Sequence, residues 1–151
     1  MGLELPIVSE SRTASGTVMA GCYEVSLEPL QGLRPTERIE VGRAACLIEK
    51  ILAARVWTRP ILIEGTSKAV MDGHHRLNAA RTLGLACVPC IRLRYGDPRL
   101  VLASWREDFV VTPELVLASA ASGEPLPART SRHVLNPKPH PVRIPLELLR
   151  G

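Results

Sequence analysis

The residues best suited to chemistry lie in one stretch, Asp72-Gly73-His74-His75-Arg76, between an apolar run and an alanine-rich helical pattern. Free backbone N–H groups give a helix N-terminus partial positive charge, so each cationic side chain there costs about 0.3–1 kcal/mol. Three potential cations in the first helical turn therefore predict a bound anion, and phosphate is the commonest one. The alternative is a plain strand–turn–helix joint, with Asp72 as the helix cap and two neutral surface histidines.

Apolar patterns predict the strands that frame this stretch. Tyr23, Val25 and Leu27 alternate with polar residues, which is typical of a half-buried strand. Pro89 lies inside a later apolar run and indicates an edge strand or a bulge, because proline has no backbone N–H to donate. The predicted strands cover residues 22–28, 61–63, 68–71, 86–93 and 99–104.

Three helices are predicted. The first starts near Glu40, where apolar residues begin to recur at helical spacing. The second contains the two histidines and ends by Gly84, a residue suited to a helix C-terminus. The third starts at Thr112, with proline at the first helical position, and Gly123 ends it.

The chain divides into three segments by composition. Residues 1–20 show no hydrophobic period and predict a flexible N-terminal arm. Residues 21–123 hold the predicted strands and helices and form the predicted domain. Residues 124–151 contain six of the thirteen prolines, which is typical of an extended segment, although several apolar residues at its end allow it to dock.

Composition narrows the function classes. The net charge is +4, but no run of basic residues is interleaved with aromatics, so a nucleic-acid partner is not expected. No apolar run approaches the ~18 residues that cross a membrane, and the N-terminus lacks the order of a secretory signal. We expect a cytoplasmic protein. Cys87 and Cys90 have C-x-x-C spacing without a second ligand pair, which favours core thiols over a metal site.

The central stretch also carries a family resemblance. Asp-Gly-His-His-Arg between a strand and an alanine-rich helix, followed by Leu-Gly-Leu and a Val-Pro strand, resembles the ParB/sulfiredoxin superfamily. Within it the chain is most similar to the free L-serine kinase branch. The resemblance implies an α+β fold with a small mixed sheet and packed helices. It also implies transfer of a phosphoryl group from ADP or ATP, with Mg²⁺, to the hydroxyl of free L-serine.

Further motifs extend the resemblance to that branch. They are Pro35-x-Glu37 before the first helix, the segment 57–60, Trp105, and a C-terminal Thr-x-Arg-His-Val-Leu beginning at Thr130. In the family the C-terminal segment returns to the active site, so residues 124–151 are expected to dock there. The residues alone do not distinguish Glu37 from Glu40 as a general base, and the resemblance selects Glu37.

The resemblance implies roles for ten residues. The expected catalytic residues are Glu37 as the general base, Asp72 and His75, with Asp72 also holding Mg²⁺ or orienting the acceptor. The expected substrate contacts are Trp105, Thr130 and His133. The residues expected to bind the nucleotide phosphates are Gly73, His74, His75, Arg76, Thr130, Arg132 and His133.

Other branches of the superfamily give the competing hypothesis of a non-catalytic, ParB-like module that binds CTP or ATP or acts in DNA-associated regulation. Partition proteins carry a Gly-Glu-Arg-Arg box where this chain has Gly73-His74-His75-Arg76. In those proteins a helix-turn-helix domain follows the box. Sulfiredoxin needs a cysteine in the phosphate turn, where His74 stands here. The sequence leaves the oligomeric state open.

Overall fold

The computed structural model describes residues 11–12, by their backbone alone, and residues 17–151. The centre is a six-stranded mixed sheet in the order β1-β2-β3-β7-β5-β6. Strands β5 and β7 run parallel, and the other neighbours in this sheet run antiparallel. Its strands are β1 (Ser11–Arg12), β2 (Val18–Ala20), β3 (Tyr23–Pro29), β5 (Ile61–Glu64), β6 (Val70–Asp72) and β7 (Cys87–Leu93).

Two smaller antiparallel pairs flank this sheet, β4 with β10 and β8 with β9. In the part of the chain that the structure describes, three helices, α1, α2 and α3, pack around them, so the predicted α+β class is confirmed. Helix α3 begins as predicted, since Thr112 Oγ1 accepts a hydrogen bond from the Leu115 amide at 3.1 Å. None of the helices in the described part of the chain has the length and hydropathy needed to span a bilayer. The bounds are β4 (Val56–Trp57), β8 (Leu100–Ser104), β9 (Ser131–Leu135), β10 (Ile144–Pro145), α1 (Val41–Ala54), α2 (His74–Thr82) and α3 (Pro113–Ser122).

The core lies between the sheet and the C-terminal segment. Ile61 and Ile63 of β5 and Val88 of β7 are completely buried, because these strands are covered on both faces. Residues 124–151 add β9, β10 and a 3₁₀ turn, Leu146–Leu149, that buries Leu149 in the same core. Burying one such side chain contributes roughly 1.5–3 kcal/mol toward the free-energy cost of ordering this segment. The C-terminal segment is therefore an integral part of the domain.

Two predictions about this fold are wrong. Most of the predicted arm, residues 1–10 and 13–16, lies outside the described residues, but Val18–Ala20 forms an inner strand with Ala20 fully buried. The sheet therefore starts before residue 21. Pro89 lies in β7, which has β3 on one side and β5 on the other, and is not on an edge. Proline is tolerated there because the ladder with β5 begins only at Cys90.

Candidate active site

A cavity of about 700 Å³ opens beside the N-terminus of α2. Its walls come from the loop before α1, one face of α1, the end of β6, the first turn of α2, and the segment that enters β9. The structure thus brings together parts of the chain that are far apart in sequence. The predicted site residues that line the cavity are Glu37, Asp72, Gly73, His74, His75, Arg76 and Trp105.

Gly73 makes the sharp turn from β6 into α2. Its φ of 114° lies in the left-handed region, and a Cβ at this position would stand 3.1 Å from Cγ1 of Ile61. Gly73 itself is the helix cap, and no side chain caps α2. The alternative hypothesis of Asp72 as the cap is therefore wrong, because the Asp72 carboxylate lies 3.3 Å from Nη2 of Arg76 instead. An uncapped helix start leaves backbone N–H groups for an anion.

The two histidines differ from the prediction in charge. Nε2 of His74 accepts backbone N–H groups from Thr36, at 3.0 Å, and from Glu37, at 3.2 Å. A nitrogen that accepts hydrogen bonds carries no proton, so this imidazole is neutral with its proton on Nδ1. Burial, reinforced by the nearby His133, lowers the pKa of His74 to about 3. His74 is thus a neutral group at the cavity wall, which corrects its expected role as a cation.

His75 repeats this arrangement one residue further on. Its Nε2 accepts the backbone N–H of Glu40 at 2.8 Å, and burial, followed by the charge of Arg43, lowers its pKa. Both histidines therefore tie the first turn of α2 to the loop that precedes α1. The alternative hypothesis was correct that the histidines are neutral and wrong that they are surface residues, since each is only partly exposed.

Most of the hydrogen-bonding capacity of Arg76 is also used within the protein. Its Nη1 donates to the carbonyl oxygens of Arg59, at 3.0 Å, and Pro60, at 2.5 Å. Its Nη2 faces Asp72, and the side chain is 13% exposed. The Arg76 guanidinium therefore holds the segment that leads into β5 and adds positive charge near the turn at Gly73. Little of the guanidinium is accessible to a ligand.

The Glu37 carboxylate is held by the C-terminal segment. Its Oε2 accepts hydrogen bonds from the backbone N–H of Ser131, at 2.6 Å, and from the Ser131 hydroxyl, at 2.5 Å. Its Oε1 accepts the backbone N–H of Arg129 at 3.2 Å. Arg129 has a φ of 58°, and this left-handed residue lets its own amide and that of Ser131 point toward one carboxylate. Leu126 pairs with the backbone on both sides of Glu37, so the segment reaches the cavity.

Three residues expected from the C-terminal motif do not line the cavity. Thr130 is completely buried, and its hydroxyl donates to the Pro127 carbonyl oxygen at 2.7 Å. His133 is 8% exposed, with Nε2 2.7 Å from the Tyr95 hydroxyl, and burial lowers its pKa to about 4. Arg132 points outward, with its guanidinium 4.7 Å from the centre of the Trp105 ring. The contacts of these three residues with phosphate or substrate stay predictions.

Most of the cationic residues that line the cavity were not predicted from the sequence. Arginines and a lysine from the pre-α1 loop, the α1 wall, the β4–β5 connection and the C-terminal segment line the cavity, together with Ser131. Side chains at positions i, i+3, i+4 and i+7 of a helix share one face, so the α1 contribution was readable from spacing. The residues missed are Arg38, Arg43, Lys50, Arg59, Arg129 and Ser131.

Among the described residues, no group of three or more histidine, cysteine or acidic side chains is arranged to hold a metal ion. Asp72 is the one predicted metal ligand, and its carboxylate is half exposed at the cavity. Mg²⁺ commonly binds through one or two carboxylates together with substrate phosphates and water. This donor set therefore fits a Mg²⁺ ion that arrives bound to a nucleotide. It does not form a closed metal site made of protein ligands alone.

Sequence comparisons find curated relatives over part of the chain, while no protein-family model matches it. An ATP-dependent L-serine kinase of Staphylothermus marinus is 42% identical over 77 residues, which are 48% of this chain and 31% of that protein. A ParB-like protein of Sulfolobus acidocaldarius is 31% identical over 92 residues, which are 61% of this chain and 45% of that protein. The match therefore spans less than half the length of either relative.

Comparison with solved structures identifies the fold. Free serine kinase in complex with AMP matches with a TM-score of 0.75 and 16% identity, over 83% of this chain and 93% of that chain. SbnI with a C-terminal truncation, from Staphylococcus aureus, matches with a TM-score of 0.74 and 14% identity, over 84% and 89%. The resemblance predicted from the sequence is therefore confirmed: the chain has the fold of the free serine kinases and is similar in sequence to an ATP-dependent L-serine kinase and a ParB-like protein.

Proposed function

We propose that this protein is a kinase that transfers a phosphoryl group from ADP or ATP to the hydroxyl of free L-serine, giving O-phospho-L-serine. The observation that carries the proposal is the placement of Glu37 and the Asp72–Arg76 turn on one cavity. A carboxylate able to accept a proton and a helix N-terminus able to hold phosphate are the two parts that such a transfer needs. The kinase relative and the solved neighbours that bind AMP or ADP support the same reaction.

The phosphates bind at the start of α2 in this proposal. The backbone N–H groups of the first turn supply donors, and His74 supplies a neutral Nδ1–H donor. Full positive charge comes from the cations that line the cavity around that turn, which neutralise the phosphate oxygens and hold donor and acceptor in line. Asp72 would hold a nucleotide-borne Mg²⁺, which when bound neutralises charge on the phosphate oxygens.

The acceptor hydroxyl lies between the phosphoryl group and Glu37. As the serine oxygen forms its bond to phosphorus, its proton passes to the Glu37 carboxylate. The bond from phosphorus to the bridging oxygen breaks, and its electron pair stays on the departing nucleotide. Trp105 is 54% exposed and lines the same cavity, which suits it to contact the acceptor.

The direct experiment combines the protein with ADP or ATP, Mg²⁺ and L-serine, and detects O-phospho-L-serine. We expect turnover by the wild type and a loss of roughly 10²–10⁴-fold in kcat for Glu37→Gln, the usual contribution of a general base. The nucleotide Kd of that variant should stay unchanged, because Glu37 neither contacts the α2 turn with its side chain nor carries charge that attracts phosphate.

Glu40→Gln is the matched control. Glu40 lies three residues away and pairs with Arg43 and Arg129 through its side chain, so its loss should leave kcat within a few-fold of wild type. An equal loss of nucleotide binding in Glu37→Gln would make Glu37 a structural residue and contradict the proposal.

The similarity to a ParB-like protein favours a second candidate, a nucleotide-binding regulator without catalysis. Calorimetric titration with CTP and ATP, run beside the turnover measurement, separates the two hypotheses. Tight binding of CTP with no phosphoryl transfer to any hydroxyl amino acid would support the regulator. Preferential binding of adenine nucleotides with product formation would exclude it.

A further inference from the structure

The hydrogen bonds around Glu37 are unevenly shared between its two carboxylate oxygens. Oε2 receives two donors, both from Ser131, at 2.6 and 2.5 Å. Among the described residues, Oε1 receives one donor, the Arg129 amide, at the longer distance of 3.2 Å. A carboxylate oxygen has two lone pairs, so Oε2 is saturated while Oε1 keeps one lone pair for another partner.

We infer that Ser131 is a positioning residue that turns Glu37 so that Oε1 is the oxygen that receives the proton of the acceptor hydroxyl. The inference rests on the proposed function and adds to it a residue to which the resemblance gives no role. With Oε2 occupied by the Ser131 hydroxyl and amide, rotation of the carboxylate would break two short charge-assisted hydrogen bonds.

The backbone of Glu37 is fixed independently of Ser131. The Glu37 amide donates to Nε2 of His74, and the preceding Thr36 donates its hydroxyl to the Val70 carbonyl oxygen at 2.8 Å. Leu126 holds the loop from the other side through both of its backbone groups. The main chain thus has little freedom, and what remains is the torsion of the Glu37 side chain, which Ser131 restrains.

The same residue is poorly placed to act on phosphate directly. Ser131 is 7% exposed, and its hydroxyl hydrogen and its amide hydrogen are both donated to Glu37. A hydroxyl has a single hydrogen, so a phosphate oxygen would have to compete with a carboxylate that already holds it at short distance. The Ser131 side chain therefore acts through Glu37.

A double-mutant cycle on kcat tests this role. Ser131→Ala should lower kcat about tenfold to a hundredfold, the equivalent of one charge-assisted hydrogen bond, while the nucleotide Kd stays unchanged. Ser131→Thr, which keeps the hydroxyl, should recover most of the rate. In a Glu37→Gln background Ser131→Ala should cause no further loss, because the group it positions is already absent.

Ser104→Ala is the matched control. Ser104 stands directly opposite Ser131 in the β8–β9 ladder, but its hydroxyl donates to the Arg106 carbonyl oxygen at 2.8 Å. The kcat of the Ser104→Ala variant should equal that of the wild type. Thermal unfolding of every variant measures the folded fraction. If Ser131→Thr unfolds, Ser131→Cys replaces it, because a thiol is a weaker donor of similar size and should give an intermediate kcat.

Two results overturn the inference alone. One is a loss for Ser131→Ala in the Glu37→Gln background as large as in the wild-type background. The other is a weaker nucleotide Kd at an unchanged folded fraction, which would place Ser131 on the phosphates. Absence of turnover in the wild type with every donor and acceptor overturns the proposed function, and the inference fails with it.

Discussion

Replacing Glu28 with glutamine should destabilise the fold in a manner that depends on pH. Glu28 is 2% exposed in β3, and its carboxylate accepts hydrogen bonds from Arg92 Nε at 2.6 Å and Lys68 Nζ at 3.0 Å. The hydrogen bond from Arg92, with further donors from Ser26 and Lys68, lowers the pKa of Glu28 from 4.5 to about 2 against the opposing effect of burial. The ionised carboxylate is therefore favoured by folding.

The size of the effect follows from that difference in pKa. A change from 4.5 to about 2 corresponds to roughly 3 kcal/mol at most. Arg92 is 51% exposed and Lys68 28% exposed, so solvent screens both partners, and we expect about 2 kcal/mol for Glu28→Gln at pH 7. Because the folded-state pKa is depressed, this stability is present above pH 4.5 and is lost as the pH falls toward 2.

Urea unfolding followed by circular dichroism at several pH values between 7 and 3 measures the unfolding free energy of wild type and Glu28→Gln. The gap between the two free energies should shrink by about pH 3 to less than half its value at pH 7. Glu24→Gln, an exposed residue of the same strand, is the control and should have no effect at either extreme. A gap that stays constant with pH would show that the ionised carboxylate is not its source, and the reasoning would fail.

Two further predictions concern the region around α2. Gly73→Ala should cost about 2–4 kcal/mol, from the left-handed φ and the contact with Ile61, whereas Gly84→Ala, with a φ of 72° and no atom near its Cβ, should cost only about 1 kcal/mol. Chemical denaturation of the two variants gives the comparison, and equal costs would exclude the Ile61 contact as a cause. The unfolding free energy should also fall by roughly 4 kcal/mol between pH 7.5 and 5, about 2 kcal/mol for each histidine, because His74 and His133 have folded-state pKa values of about 3 and 4 and take up protons more readily when unfolded. Urea titrations at the two pH values test this, and a flat profile would contradict the neutral assignment.

The elements of the fold were largely readable from local patterns. Helix α3 begins at Thr112 and Pro113 because a side-chain oxygen and a fixed φ suit a helix start, whatever the rest of the chain does. The turn at Gly73 followed from the same local chemistry. Pro89 was misjudged because an edge or interior position depends on which strands pair with β7, and β5, from a distant part of the chain, pairs with it from Cys90 onward.

The roles of the site residues were harder to predict because they depend on contacts across the fold. The sequence around His74 predicts a cation. The imidazole is neutral because the loop before α1 brings two backbone amides to its Nε2. In β9, by contrast, the two-residue period of a strand places Ser131 and His133 on the inward face and Arg132 on the outward face. Applied to the C-terminal motif, that period would have predicted Arg132 outside the site and drawn attention to Ser131.

The neutral histidines change where the positive charge of the site comes from. If the imidazoles were charged, the corner at Gly73 would bind phosphate by charge concentrated in one helical turn. Because their ring nitrogens accept backbone hydrogen bonds, both imidazoles are neutral, and most of the positive charge belongs to side chains on the other walls of the cavity. In the proposed reaction, donors fixed by the backbone would set the position of the phosphoryl group, and the arginine and lysine side chains would neutralise its charge as it passes from donor to acceptor. On this division the histidines hold the geometry of the Glu37 loop, and the surrounding cations would neutralise charge.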